Sequence, residues 1–153
     1  GNKMKLQRQH ALLVICLSLL AFCAQGADRD AKPFAERHVI LQVSDADPSK
    51  YTAVLDIANN LIKHYKGPDY IDIEVIAFGA GVHMLTGEVG ENSIRIDSLI
   101  ANGVGFYVCL NTLDSIQRKT GERPVILPGV IGVQTGVAFM LEEIQAGYVH
   151  IQP

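Results

Sequence analysis

Gly103-Val104-Gly105-Phe106-Tyr107-Val108-Cys109-Leu110-Asn111-Thr112-Leu113 decides how this chain is read. The apolar run predicts a short buried strand whose last residue is a cysteine, and Asn111 or Thr112 is placed to cap a helix that follows at once. In an open α/β sheet, ligands gather at the carboxyl ends of parallel strands, where the first amides of the next helix attract an anion. A thiol held there is biased toward thiolate.

The same alternation extends in both directions. Upstream, Val39-Ile40-Leu41-Gln42-Val43-Ser44 predicts a first strand, and Asp45 or Asp47 ahead of Pro48 predicts a helix cap rather than a metal site. Tyr51, Val54, Leu55, Ala58, Leu61, Ile62 and Tyr65 recur at helical spacing and predict a helix over 49–65 that Gly67-Pro68 stops. A second strand is expected over 71–78, then a glycine-rich turn over 79–85, a polar loop over 86–92 and a helix over 93–101 packing through Ile94, Ile96, Leu99 and Ile100. Downstream, a helix is expected over 110–119 and a proline-bracketed strand or extended segment over 123–131. A last helix over 135–146 would pack through Val137, Ala138, Met140, Leu141 and Ile144 with Glu142 and Glu143 outside, and a fifth strand over 147–151 ends the order. Strands alternating with helices at this spacing predict an α/β sandwich with a mainly parallel sheet.

Composition bounds the function. The chain has 153 residues, 48% hydrophobic and 19% charged, which suits one globular domain. Lys3, Lys5 and Arg8 precede residue 27 and no Asp or Glu does, so the remainder carries ten basic against sixteen acidic side chains, a net −6. No clustered basic surface is visible, which argues against nucleic acid as a partner.

Lys5 and Arg8 lead into the 13-residue apolar run of 11–23, interrupted only by Ser18, and Ala24-Gln25-Gly26 offers small residues for a peptidase, so 1–26 reads as a signal peptide with a start-site extension. The run is shorter than the roughly 20 residues a bilayer span needs, so no membrane anchor is expected after cleavage. Phe22 stands where lipidation at Cys23 would want a small residue. The mature protein is then periplasmic or secreted, with a tether over 27–37 and one domain over 38–153. Cys109 is its single cysteine, and a lone thiol in an oxidising compartment is buried and inert, paired between subunits, or chemically used.

Parallel strands would bring the turns after Val43, Phe78 and Val108 to one edge, together with the segment after Leu127. There Cys109 is the candidate nucleophile and His83 its base or orienting partner, while Gly79, Gly81, Asn111 and Thr112 are candidate ligand-binding residues. Gly79-Ala80-Gly81-Val82-His83-Met84 opens like a dinucleotide fingerprint but has Met84 at the third glycine, so no nucleotide cofactor is expected. His38, His64 and His150 fall on separate elements without metal-ligand spacing. No G-x-S-x-G elbow or phosphate-binding loop with its lysine is present.

Taken together, the stretch 103–113, the Leu127-Pro128-Gly129-Val130 turn, Gln145-Ala146-Gly147-Tyr148 and Phe78-Gly79-Ala80-Gly81-Val82-His83-Met84-Leu85 resemble the DsrE/DsrF-like family of small sulfur-relay proteins. The resemblance covers about residues 38–152. It implies a Rossmann-like, three-layer α/β/α sandwich of about five mainly parallel strands, assembling into homo- or hetero-oligomers, commonly trimers or hexamers; no cofactor is expected. It also implies that a cysteine after the third strand carries a persulfide and passes the sulfur to a partner protein, and Cys109 matches that position. The best-studied relay members are cytoplasmic, so this chain would be an exported one. With no resolving cysteine it would be a carrier that exchanges sulfur between proteins, not an autonomous oxidoreductase. The other reading is a non-enzymatic small-anion-binding or oligomeric assembly domain.

Overall fold

The computed structural model describes residues 32–87 and 91–153. The expected signal peptide, the Cys23 question, residues 27–31 of the tether and residues 88–90 of the polar loop lie outside the described residues. The tether's later part is packed: Glu36 N–H donates to the Tyr70 carbonyl at 2.8 Å, and Lys32 Nζ to the Ile71 carbonyl at 3.2 Å.

Five apolar segments form one sheet: β1 (Arg37–Val43), β2 (Ile71–Ala77), β3 (Gly105–Cys109), β4 (Ile131–Val133) and β5 (Val149–Ile151). Their order is β4-β3-β2-β1-β5 and every neighbouring pair is parallel. Four helices connect them: α1 (Pro48–His64), α2 (Glu91–Ala101), α3 (Leu110–Thr120) and α4 (Gly136–Gln145). The α1 start is as the sequence dictates. Asp47 accepts the Ser49 N–H at 2.8 Å and Pro48 takes the first helical position, where its missing N–H is no loss.

Topology decides the layers. From β1 to β4 the chain steps across the sheet in one direction, and right-handed crossovers then put α1, α2 and α3 on one face. The β4-to-β5 connection returns to the far edge and puts α4 on the other. The side-chain alternation agrees. Val39, Leu41 and Val43 of β1 join Ile73 and Val75 of β2, Val54 and Leu55 of α1, Leu99 of α2 and Leu113 of α3 in the main core. Ile40 and Ile76 point the opposite way and meet Met140 of α4 and Tyr148. The fold is a three-layer, Rossmann-like α/β/α sandwich with an all-parallel sheet.

Three expectations are corrected. The fourth strand is Ile131-Gly132-Val133 rather than 123–131. Upstream of it, Ile126 forms only an isolated antiparallel bridge with Thr86, and Leu127 N–H bonds the Leu85 carbonyl. Prolines 124 and 128 remove ladder donors from that earlier stretch. Ile94 is 66% exposed while Ser93 is buried, so α2 packs through Ile96 and Leu99 and not through Ile94. Last, α4 is turned from its expected orientation. Val137, Leu141 and Ile144 are exposed and Glu143 is buried with Met140. Apolar residues surround this helix, so its sequence alone did not fix which side meets the sheet.

The polar side chains on the α4 face are organised around Tyr148. Its hydroxyl donates to Asp72 Oδ2 at 2.5 Å, and Tyr107 Oη lies 3.5 Å from Glu74 Oε1. Burial, the bond to Asp72 and the carboxylates of Glu74, Asp72 and Glu143 all push the Tyr148 phenol upward, so it stays protonated.

Candidate functional site

Adjacent strands whose following connections leave on opposite faces mark the place where open α/β sheets bind ligands. Here β3 leads into α3 on one face and β4 into α4 on the other, so the switch point lies between the ends of β3 and β4. Cys109 occupies it, paired in register with Val133.

Cys109 itself takes the cap position of α3, with no side-chain cap bond. Asn111 and Thr112, expected as caps, lie inside the first turn instead. The consequence is that helix amides face sulfur. Gly136 N–H, at the start of α4, donates to Cys109 Sγ at 3.3 Å, and the thiol is 3.8 Å from the Gln134 carbonyl as its donor. Burial opposes charge on this sulfur, but the nearby Thr112 hydroxyl and the Gly136, Thr112 and Asn111 amides outweigh it, and the thiol is held below its ordinary value. A Cβ at Gly136 would come within 3.0 Å of Cys109 Cβ and 3.2 Å of Phe78 Cβ, so glycine there leaves space beside the sulfur.

The two helix starts are tied together. Asn111 Nδ2 donates to Thr135 Oγ1 at 3.0 Å, Gln134 Nε2 donates to Asn111 Oδ1 at 2.5 Å, and Asn111 N–H donates to the Gln134 carbonyl at 3.1 Å. The glycine-rich segment joins from the other side as a short 3-10 helix, Gly79–Met84. Gly79, at φ +56°, donates its N–H to Thr112 Oγ1 at 3.1 Å. Gly81 is buried against β1, where a Cβ would fall 2.1 Å from the Val43 carbonyl oxygen. Backbone approach, not ligand contact, explains that glycine.

Beside this assembly lies a cleft of about 490 Å³ whose lining includes Gly79, His83, Asn111, Thr112, Ser115 and Lys119. Cys109 is only 6% exposed and lies behind the lining, touching it through Thr112. His83 lines the cleft but is not among the hydrogen-bond partners of the sulfur. Gly81 does not reach the cleft. The remaining described histidines are dispersed: His150 Nε2 pairs with Gln42 at 2.8 Å, and His38 and His64 meet Tyr148 and Tyr65 edge-on. Among the described residues no group of three His, Cys, Asp or Glu could hold a metal.

Sequence reasoning missed Gln134, Thr135, Gly136 and Lys119. The first three became visible only once β4 was placed at 131–133, which makes Thr135-Gly136 a helix start at the switch point. The segment after Leu127, expected at this edge, instead leads into β4, and the residues after Val133 take its place.

The fold and site together define a parallel α/β/α sandwich carrying one amide-held thiol where its two helical layers part. Among solved structures, the protein of unknown function MTH1491 from Methanobacterium thermoautotrophicum is similar, with a TM-score of 0.66 and 26% sequence identity over 77% of this chain and 100% of that one. No family model matches the chain, and no curated protein matches it.

Proposed function

We propose that this protein is a sulfur carrier of the DsrE/DsrF-like kind, with Cys109 as the atom that bears the sulfur. The observation that carries the reading is the place of the sulfur: Cys109 caps the start of α3 at the switch point, and the first amide of α4, Gly136 N–H, donates to its Sγ at 3.3 Å. That arrangement favours a thiolate nucleophile and the equally anionic persulfide formed from it.

The thiolate attacks the outer sulfur of a donor persulfide, the donor's S–S bond breaks, and the donor leaves as a thiolate. Cys109 then holds a persulfide, which an acceptor thiolate relieves of its outer sulfur by the same exchange. No electron is gained or lost overall. The reading includes export through the N-terminal segment, a periplasmic sulfurtransferase-like role and assembly into homo-oligomers, which sedimentation of the mature protein tests. His83, the expected base or orienting partner, lines the cleft and makes no hydrogen bond to the sulfur.

The deciding experiment is intact-mass spectrometry after treatment with a sulfur donor. Wild type gains the mass of one sulfur atom and Cys109→Ser gains none; absence of the gain in wild type refutes the carrier. The 6% exposure of Cys109 favours a second reading, a small-anion-binding or assembly domain in which the thiol is structural. Resistance of the native thiol to alkylation until the protein unfolds would establish that one.

A further inference from the structure

The cleft beside Cys109 has a composition of its own. It runs along one face of α3 from Asn111 and Thr112 through Ser115 to Lys119, with Gly79 and His83 opposite, and no carboxylate lines it. Lys119 and His83 are exposed, and their side chains make no ion pair or hydrogen bond among the described residues. A protein with an acidic surplus therefore keeps one groove free of acids and places an uncommitted ammonium group within it. At 1.5 Å per residue the distance along α3 from Thr112 to Lys119 is about 10 Å. Thr112 lines the groove in the first turn of the helix that Cys109 caps, so the groove ends beside the sulfur.

We propose that this groove is the donor subsite, and that the donor is a carboxylate-bearing thiol compound of small-peptide size, bound as its persulfide. Its carboxylate meets Lys119, its backbone-like middle meets the hydroxyls and amide of Ser115 and Asn111, and its sulfur end arrives at Thr112. This assignment rests on the carrier reading above and adds the chemical class of what loads it. The step balances: Cys109 thiolate bonds to the donor's outer sulfur, the donor's S–S bond breaks, its electron pair leaves on the peptide sulfur as thiolate, and the proton stays on the transferred sulfur. An inorganic polysulfide, too short to span the groove, would engage the Thr112 end alone.

The test has a binding arm and a transfer arm on the full chain. In the first, S-methylglutathione, which cannot donate sulfur, is titrated by calorimetry into wild type, Cys109→Ser and Lys119→Glu. Wild type and Cys109→Ser bind it alike, Lys119→Glu binds about tenfold more weakly because attraction becomes repulsion, and the same ligand with its carboxylates esterified loses a similar factor on wild type. Equal binding to Lys119→Glu, equal binding of the ester, or no binding overturns the groove assignment.

In the transfer arm, glutathione persulfide and inorganic polysulfide load Cys109 in parallel. The ratio of their loading rates falls about tenfold in Lys119→Glu and is unchanged in Lys66→Glu, a charge reversal on a distant exposed lysine. An unchanged ratio in Lys119→Glu, with both donors active, removes the groove assignment and leaves the carrier standing. Failure of both donors to add sulfur to Cys109 removes the carrier and the donor assignment with it.

Discussion

The two faces of the sheet are built differently. Under α1, α2 and α3 the contacts are almost wholly apolar, with Leu41, Ile73, Val75 and Leu55 fully buried. Under α4 the apolar residues Ile40, Ile76 and Met140 share the layer with Asp72, Glu74, Tyr148 and the buried Glu143. One face is designed to hold, and the other is a single helix over a polar bed. The thiol sits at the seam, taking amides from α3 on the first face and from α4 on the second. Its properties therefore depend on both, though the two faces should differ in how much stability they supply.

The largest effect expected is on the three-helix face. Leu41→Ala removes a fully buried side chain from the centre of β1 and should lower stability by about 3 kcal/mol, read from urea denaturation. Met140→Ala, beneath α4 at 8% exposure, should lose less, about 2 kcal/mol. Equal losses would erase the distinction between the faces.

The seam is tested by pH. Because the folded thiol is held below its ordinary value, the folded protein binds fewer protons than the unfolded chain in that range. The resulting stability is fully present above the unfolded thiol value of about 8.5 and is lost as pH falls through the lower folded value. Wild type should gain on Cys109→Ser as pH rises toward 8.5 or so, measured as urea midpoints. Thr112→Val removes a hydroxyl bond from the sulfur, so it should reduce that gain and shift the midpoint of alkylation upward. An unchanged alkylation profile would mean that the amides alone hold the charge. The smallest effect should be Leu141→Ala on the outer side of α4, 54% exposed, within about 0.5 kcal/mol of wild type.

Legibility in the sequence follows the same division. On the three-helix face the signal was cleanest in α1, where the heptad-like spacing of Tyr51, Val54, Leu55 and Ala58 and the Asp47-Pro48 cap left little room for another reading; α2 read true at Ile96 and Leu99 but not at Ile94. On the α4 face the signals competed. Val137, Phe139, Met140, Leu141 and Ile144 surround the helix, and the choice of which side to bury was made by the shape of the sheet and by Tyr148, both far away in sequence. The Val125-Ile126-Leu127 run looked more strand-like than Ile131-Gly132-Val133, because propensity reports side chains while strand pairing needs free backbone donors. Cys109 was legible because strand, thiol and helix are contiguous. Gly136, Lys119 and the placement of His83 away from the sulfur required the fold.

The clasp between Asn111 and Gln134-Thr135 gives the sulfur a built-in condition. Part of its acidity comes from a chain position 27 residues away, Gly136, so a molecule whose last βα unit has come undone would carry a less acidic cysteine. The acidity of the sulfur thereby reports on whether the starts of α3 and α4 are still joined.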